Sequence, residues 1–583
     1  MGIKHFWRWF NDTFDEDIYA LRKSDTINDL GSEIDVTLVD MNGIFHNAAQ
    51  KVYEYGNFKR RKSLMNNRYN KIKNTLKNQI KVFETVCQDI EEIIAITRPK
   101  KSLVLCVDGC APLSKQAQQR QRRFRAAIDM TDDISFDSTS ITPGTKFMDY
   151  LTKYIDWYIR KKISEGSNFW KDIEVVFSNE KVPGEGEHKL INYLRNYGSE
   201  KDTYCLHGLD ADLIMLALGT HLPNFFILRE DMYSSSNDFF CIDIGNVRHI
   251  LSEIMEWQSD IEYNPESGVN DFIFICFIVG NDFLPHIPSI EIIEGGIDVM
   301  IDAYKETCSI SGHLSEKGER LTPGDNKNNH LRFRNSSMKN FLALLGSYEQ
   351  KLLETKLEHK GDFFKDQLLE DCAKESKDGT WSVNIEKYRY EYICKHFPPD
   401  INVEKLCHEY LQGMQWVLTY YTEGVPHWKW NFPYHYTPSA KYISKYVDSF
   451  KHVKWKESIP STPFQQLLSV LPGRSANLLP NPLDDLLTNK KSRLAPFCPD
   501  EIEVDLSGVR REWEGIVKIP MVDFEIVREI YFERVREIIP VDLKRNVNGR
   551  SFLYVYDKDI SGSFNSYYGN ILNCKCTTKV INL

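Results

Sequence analysis

The 583-residue sequence has no apolar run long enough to cross a bilayer. Its longest, Phe272 to Val279, has the length of a strand, so no membrane association is expected. The first nine residues lack the anatomy of a signal peptide. Phe6 stands where a myristoylation motif needs Ser or Thr. No Cys-x-x-Cys pair occurs among the 13 cysteines, which argues against a zinc ribbon and fits a reducing compartment. Cys574-x-Cys576 reads as coincidence rather than a metal site. There is no internal repeat and no long low-complexity tract. Positive charge is also short. A net charge of −10 excludes indiscriminate nucleic-acid binding by total charge, though not a local basic groove.

What is present is an ordinary globular balance, 42% apolar and 27% charged, sufficient for a sizeable core. Residues 1–305 alternate strand-like runs with helical patterns. The runs are Val36–Val39, Leu103–Val107, Val175–Phe177 and Phe272–Val279, and helical patterns include Val82–Ile96 and Phe147–Ile163. This alternation predicts an α/β fold, a mainly parallel sheet flanked by helices. Residues 306–395 are charge-rich and read as a helical connector, with an exposed loop at Thr322–Asn329. Residues 396–583 are a mixed, aromatic-rich region expected to pack on the first, with Trp416, Tyr420, Tyr421, Trp428, Trp430, Tyr434 and Tyr436.

Acidic residues recur where the apolar runs end. Asp40 follows Val39, Asp108 follows Val107, and Asp210 and Asp212 follow Leu209. Asp282 follows the Phe272–Val279 run, and Glu185 and Glu187 lie shortly after Val175–Ser178. Ligands of open α/β sheets bind beyond the carboxyl ends of the strands, where these side chains would meet. A lone Asp after a strand is usually a turn former or helix cap. Asp210 and Asp212 could cap a helix starting at Leu213, and Glu185 and Glu187 could favour a helix N-terminus. Five such places together point elsewhere. Clustered carboxylates repel, and hard divalent cations bound by oxygen supply the missing counter-charge. Two ions about 4 Å apart can hold the attacking water and the leaving oxygen of a phosphodiester. Gly184, Gly186, Gly109 and Gly280 allow tight turns beside these acids.

These segments occur in a recognisable order. They are Asp40-Met41-Asn42-Gly43, Val107-Asp108-Gly109, Pro183-Gly184-Glu185-Gly186-Glu187-His188, Gly208-Leu209-Asp210-Ala211-Asp212 and Gly280-Asn281-Asp282-Phe283-Leu284-Pro285. With Phe136-Asp137-Ser138 and Ile141-Thr142-Pro143-Gly144-Thr145, the set resembles the Xrn/Rat-type 5′→3′ exoribonucleases. Further likeness lies in Gly413–Leu418, Pro433–Tyr436 and Val470–Ser475. It covers nearly the whole chain, residues 306–395 least. The resemblance implies a 5′-nuclease (PIN-like) core in residues 1–305, completed into one catalytic body by residues 396–583. It implies stepwise, processive hydrolysis of 5′-monophosphorylated single-stranded RNA to nucleoside 5′-monophosphates, in RNA decay. All seven family carboxylates are present as Asp40, Asp108, Glu185, Glu187, Asp210, Asp212 and Asp282. The expected cofactor is two Mg²⁺ ions, for which Mn²⁺ can substitute.

Ala111 to Arg125 reads as a basic helix, with Lys115, Gln119, Arg122 and Arg123 on one face. Alone it would read as a solvated face. Similarity to the family's 5′-phosphate pocket favours recognition of a terminal phosphate, which Arg forks suit. Leu113, Ser114 and Gln121 depart from the family pattern there. By the same likeness, His46 and Trp430 are base-stacking candidates along the strand path, although an unassigned Trp is more often core. His188 reads as structural. The basic run Lys59, Arg60, Arg61, Lys62, Arg68, Lys71, Lys73, Lys77 and Lys81 does not match the family well and reads as a solvated or mobile face, with an auxiliary RNA-binding surface as the alternative. Two rivals remain. A flap-type structure-specific DNA nuclease would carry a glycine-rich helix–hairpin–helix after Asp282, which is absent. A non-catalytic RNA-binding scaffold would lack a carboxylate, and none is missing. The cytoplasmic type of the family is the nearer match, with a nuclear location left open, and a monomer is expected.

Overall fold

The computed structural model describes residues 3, 5–58, 74–129, 136–166, 169–231, 238–322, 330–361, 364–509 and 511–583. Lys59 to Lys73 of the basic run, and 323–329 of the expected loop, lie outside the described residues.

Among the described residues the sequence builds a nine-stranded sheet. Its strands are β1 (Ile18–Leu21), β2 (Val36–Asp40), β3 (Ser102–Cys106), β4 (Glu174–Ser178) and β5 (Tyr204–His207). Then come β6 (Phe225–Glu230), β7 (Phe239–Asp243), β8 (Ser551–Tyr556) and β9 (Cys576–Ile581). The order is β1-β7-β6-β5-β2-β3-β4-β8-β9. The five central strands are parallel, with Val39 opposite His207 and Leu105, and Cys106 opposite Ser178. Both flanks are antiparallel, through β7 and β1 on one side and β8 and β9 on the other. Chain order reverses between β2 and β5, which makes the carboxyl end of β2 a switch-point crevice.

Both faces of the parallel strands are covered, which is why their sequences lack polar alternation. Val36, Leu38, Val104, Cys106 and Val176 enter one core cluster; Val39, Leu103, Leu105, Val175 and Phe177 enter the other. Helices α1 (Met41–Tyr53), α2 (Leu76–Thr97), α3 (Leu113–Asp129) and α4 (Lys146–Glu165) follow the first strands. Later come α5 (Gly186–Tyr197), α6 (Asp212–Leu218), α7 (Pro265–Cys276) and α8 (Val403–Thr422). Helices α1, α2 and α4 pack on the second cluster, and α5 to α8 on the first. Residues 306–395 contribute Phe333, Phe341, Leu345 and Tyr388 to that same first cluster.

One expected strand is a helix. Phe272–Val279 forms the end of α7 and a following 3₁₀ turn, with Asn264 capping Ser267 N and Pro265 in the first turn. The run is apolar throughout because this half of α7 and the turn after it are buried on all sides, and eight apolar residues carry no period that separates the two structures. Asp282 therefore reaches the sheet edge from a helix end, after Gly280 turns the chain at φ 88°.

Candidate active site

Local backbone chemistry brings the acids together. Asp40 ends β2 and caps α1, accepting from Asn42 N at 3.4 Å. The Asn42 side chain then ties β2 to β3, donating Nδ2 to Asp108 Oδ2 at 2.5 Å and accepting from Asp108 N at 3.1 Å. Gly109 N donates to Gly184 O, and Gly184 N to Cys110 O, at 2.8 and 2.9 Å. This pairing draws the Pro183–His188 turn against β3, and Gly186 N reaches Asp108 Oδ1 at 2.7 Å. Two glycines permit the approach by having no side chain. A Cβ at Gly109 would lie 1.8 Å from Val182 O, and one at Gly186 would lie 2.7 Å from Asp40 Oδ1.

The result is a buried carboxylate cluster. Oxygens of Asp40, Asp108 and Glu187 lie within 4.8 Å of one another, as do ligand atoms of Glu185, Glu187 and His188. Asp212 joins them at the start of α6. The helix begins at Asp212 and its cap position is Ala211, which makes no side-chain cap bond, so Asp212 is not the capping residue. Asp212 is 7% exposed and its Oδ1 has no partner among the described residues. Burial, and then the charges of Asp210 and Asp282, push its carboxyl up to about 7. Burial, and then Asp108 and Asp210, push Asp40 well above the carboxylate range. Burial, and then Glu185, do the same to Glu187. Acids held this way want a cation. The all-oxygen donors Asp40, Asp108 and Glu187, with the orphaned Asp212 oxygen beside them, fit a hard divalent metal.

Lys115 stands elsewhere than its helical face suggests. Its ammonium donates to Asp282 Oδ2 at 2.7 Å, pairs with Glu185 and lies 3.9 Å from Glu187. Burial opposes its charge, but Asp282 and Glu185 outweigh burial and hold its pKa well above the ordinary value. Lys115 is thus a counter-ion inside the cluster. Gln118 adds a bond to Asp282 Oδ1 at 3.3 Å.

The rest of the basic face separates by depth. Arg122 is exposed. Arg123 is buried, donates Nη2 to Thr142 Oγ1 at 2.8 Å, and keeps Nη1 without a partner among the described residues. Burial, and then the charge of Arg122, push it down to about 9. Gln119 accepts from Gln466 Nε2 at 3.5 Å. His46, half-buried on α1, is pushed down to about 4 by burial and then by Arg122 and Arg123. A neutral imidazole thus lies beside the two arginines. Trp430 has one face stacked on the buried Trp416, with centroids 5.1 Å apart and planes at 24°, and Trp455 meets it edge-on. Trp428 O accepts from Leu113 N at 2.8 Å, fixing the Trp428–Trp430 segment to the start of α3.

Tyr420 was not legible as a site residue. From α8 its hydroxyl donates to Glu185 Oε1 at 2.8 Å, and its ring stacks on His188 at 3.6 Å. His188 is a packing group, its pKa driven well down by burial. A tyrosine in an aromatic-rich run carries no local signal of a partner 235 residues earlier.

Comparison with known proteins follows the same outline. The family model described as XRN 5′-3′ exonuclease N-terminus matches residues 1–231. The one described as Xrn1 helical domain matches residues 262–387 and 385–582. The 5′-3′ exoribonuclease 1 of Saccharomyces cerevisiae is 28% identical, over 98% of this chain and 46% of its own length. The human 5′-3′ exoribonuclease 1 is 28% identical over 96% of this chain and 36% of its own length. The chain thus spans about half or less of the length of these curated relatives. The 5′-3′ exoribonuclease 2 of Candida albicans is 25% identical over 95% of this chain and 74% of its own length. Among solved structures, the catalytic core of Rad2 in complex with DNA substrate covers 73% of this chain at 14% identity, with a TM-score of 0.32. Both halves of the chain are matched, one model alone spanning more than half of it, and the chain belongs to the Xrn family of 5′-3′ exonucleases.

Proposed function

We propose that this chain is a processive 5′→3′ exoribonuclease acting on single-stranded RNA with a 5′-monophosphate and releasing nucleoside 5′-monophosphates. The observation that carries the reading is one helix joining two chemistries. At its start α3 puts Lys115 among the carboxylates; two turns later it presents the exposed Arg122, whose charge reaches His46. Seven residues of helix separate the two by about 10 Å, a distance of nucleotide scale. A terminal phosphate met by Arg122, Arg123 and Gln119 would hold the next phosphodiester at the acids. Asp40, Asp108, Glu185, Glu187, Asp210, Asp212 and Asp282 would hold two Mg²⁺ ions, Mn²⁺ substituting. The ions supply an activated water and a charge against the leaving oxygen. The residues' own part is to fix the acids, orient the end and exclude internal entry. His46 offers a neutral face for the first base. We further propose that the protein acts as a monomer, in the cytoplasm, in RNA decay.

The test is degradation of 5′-phosphate, 5′-hydroxyl and 5′-triphosphate RNAs of one sequence. Only the first is expected to be consumed from its 5′ end, in Mg²⁺ or Mn²⁺. Arg122→Ala is expected to lose roughly tenfold in preference for phosphate over hydroxyl ends, the scale of one charge-assisted hydrogen bond. Equal preference in variant and wild type would remove Arg122 from the end pocket.

His46→Ala is expected to leave metal binding intact and to release partly degraded RNA. Each stacked base contributes about 1–3 kcal/mol without reading sequence. Under single-encounter conditions a ladder of intermediates replaces mononucleotide plus untouched RNA. Trp430→Ala is a poorer probe, because it also strips the stacking partner of Trp416.

A further inference from the structure

A chamber of about 400 Å³ opens beside the carboxylate cluster, lined by a different stripe of α3 from the one that carries Lys115 and Gln119. It shares Asp282 with the cluster and is lined by Asn281 and by Ser114 and Gln118 of α3. Ser114, Ala117, Gln118 and Gln121 all line it, and their stripe is centred about 100° around the helix from that of Lys115, Gln119 and Arg122. The two faces of α3 therefore serve two spaces, and Asp282 touches both, taking Lys115 on one oxygen and Gln118 on the other.

The lining is unusual in its unmet hydrogen bonds. Ser114 Oγ, Gln118 Oε1 and Asn281 Nδ2 are buried without partners among the described residues, all at the Asp282 end. Ser114 is 3% exposed, so bulk water does not satisfy it. Elsewhere in the lining, His396 Nδ1 likewise has no partner among the described residues, on a ring packed at a tilt against Tyr436 at 3.9 Å and Tyr392 at 4.6 Å. Unpaired buried polar atoms are costly and mark a place where a polar ligand fits. The volume falls within the range of small-molecule pockets, roughly 300–1,000 Å³. Aromatic walls suit a base of any identity.

We propose that this chamber receives the nucleoside 5′-monophosphate as it leaves the carboxylate cluster. Its phosphate lies at the mouth beside Ser114 and Asn281, and its base lies against the aromatic wall. The assignment rests on the exonuclease reading, since that reaction supplies the ligand.

The experiment is titration of the full chain with AMP in chelator, followed by calorimetry. Binding is expected in wild type and in Arg122→Ala, and about tenfold weaker in Ser114→Ala, the scale of one hydrogen bond to a charged group. Removing an unpartnered hydroxyl leaves the fold as stable as before or more so, so lost affinity is not unfolding. Equal affinity in wild type and Ser114→Ala, or loss in Arg122→Ala alone, places AMP in the end pocket and overturns the proposal. An Ala117→Trp plug is expected to slow multiple turnover severalfold while the first cut in a single turnover keeps its rate. A plug that abolishes AMP binding yet leaves multiple turnover unchanged overturns the exit role. A wild type inert on 5′-phosphorylated RNA would instead defeat the exonuclease reading, and the AMP comparison would still decide whether the chamber binds a nucleotide.

Discussion

Asp212→Asn is expected to lower RNA cleavage by about a thousandfold or more while making the metal-free chain more stable. A metal centre supplies several kcal/mol of transition-state stabilisation, and each 1.4 kcal/mol is about tenfold in rate. The stability gain follows from burial. The Asp212 carboxyl has an orphaned oxygen and is pushed up to about 7 by burial and its acidic neighbours. A carboxyl whose folded pKa is raised adds stability below its unfolded value, near 3.8. That contribution is lost as pH rises toward 7, where the buried group must ionise. The Asn variant should therefore match wild type near pH 4 and melt higher at pH 8, both in chelator. Added Mg²⁺ should stabilise wild type strongly and the variant little. A helix-capping role predicts the reverse, a lower melting temperature at neutral pH and full activity. Asp210→Ala should lose activity to a similar degree. Full cleavage by either variant, or by wild type in excess chelator, would reject the metal centre.

The sheet was legible where burial had written it plainly. Val36–Val39, Leu103–Val107 and Val175–Phe177 are apolar without alternation because helices cover both faces. Four of the five acidic places follow those parallel strands or β5, and a motif of strand, acid and turn is a local pattern that sequence carries. Phe272–Val279 defeated the same logic, since a fully buried helix and a fully buried strand present one uniform run. Long-range partners were not legible at all. Nothing near Lys115 announces that its stem turns to Asp282, 167 residues on. Helical spacing placed it with Arg122 by backbone angle, and the pull of three carboxylates decided where the flexible side chain points. Tyr420 and Gln466 are set by the third region folding against the first, a matter of tertiary packing that local spacing does not encode.

Lys115→Met is expected to separate two roles that the sequence had merged. Its ammonium is buried among Glu185, Glu187 and Asp282, with 12% of the side chain exposed. Breaking a buried pair from one side leaves unpaired charge and destabilises by about 3–5 kcal/mol. Methionine keeps the stem and removes only the charge. In chelator the variant should melt well below wild type, because three acids lose their shared cation. Saturating Mg²⁺ should restore most of the loss, since cations at the same acids replace the missing charge. Adding Glu185→Gln to the variant should also recover stability, because one fewer carboxylate then needs pairing. Arg122→Ala serves as the contrast, since Arg122 is exposed and its loss should leave the chelated protein unchanged. A side chain that served only a terminal phosphate would behave like Arg122, with normal melting in chelator and reduced discrimination between phosphate and hydroxyl ends. If Lys115→Met melts with wild type in chelator, the resident counter-ion role fails and phosphate binding alone is left to explain the residue.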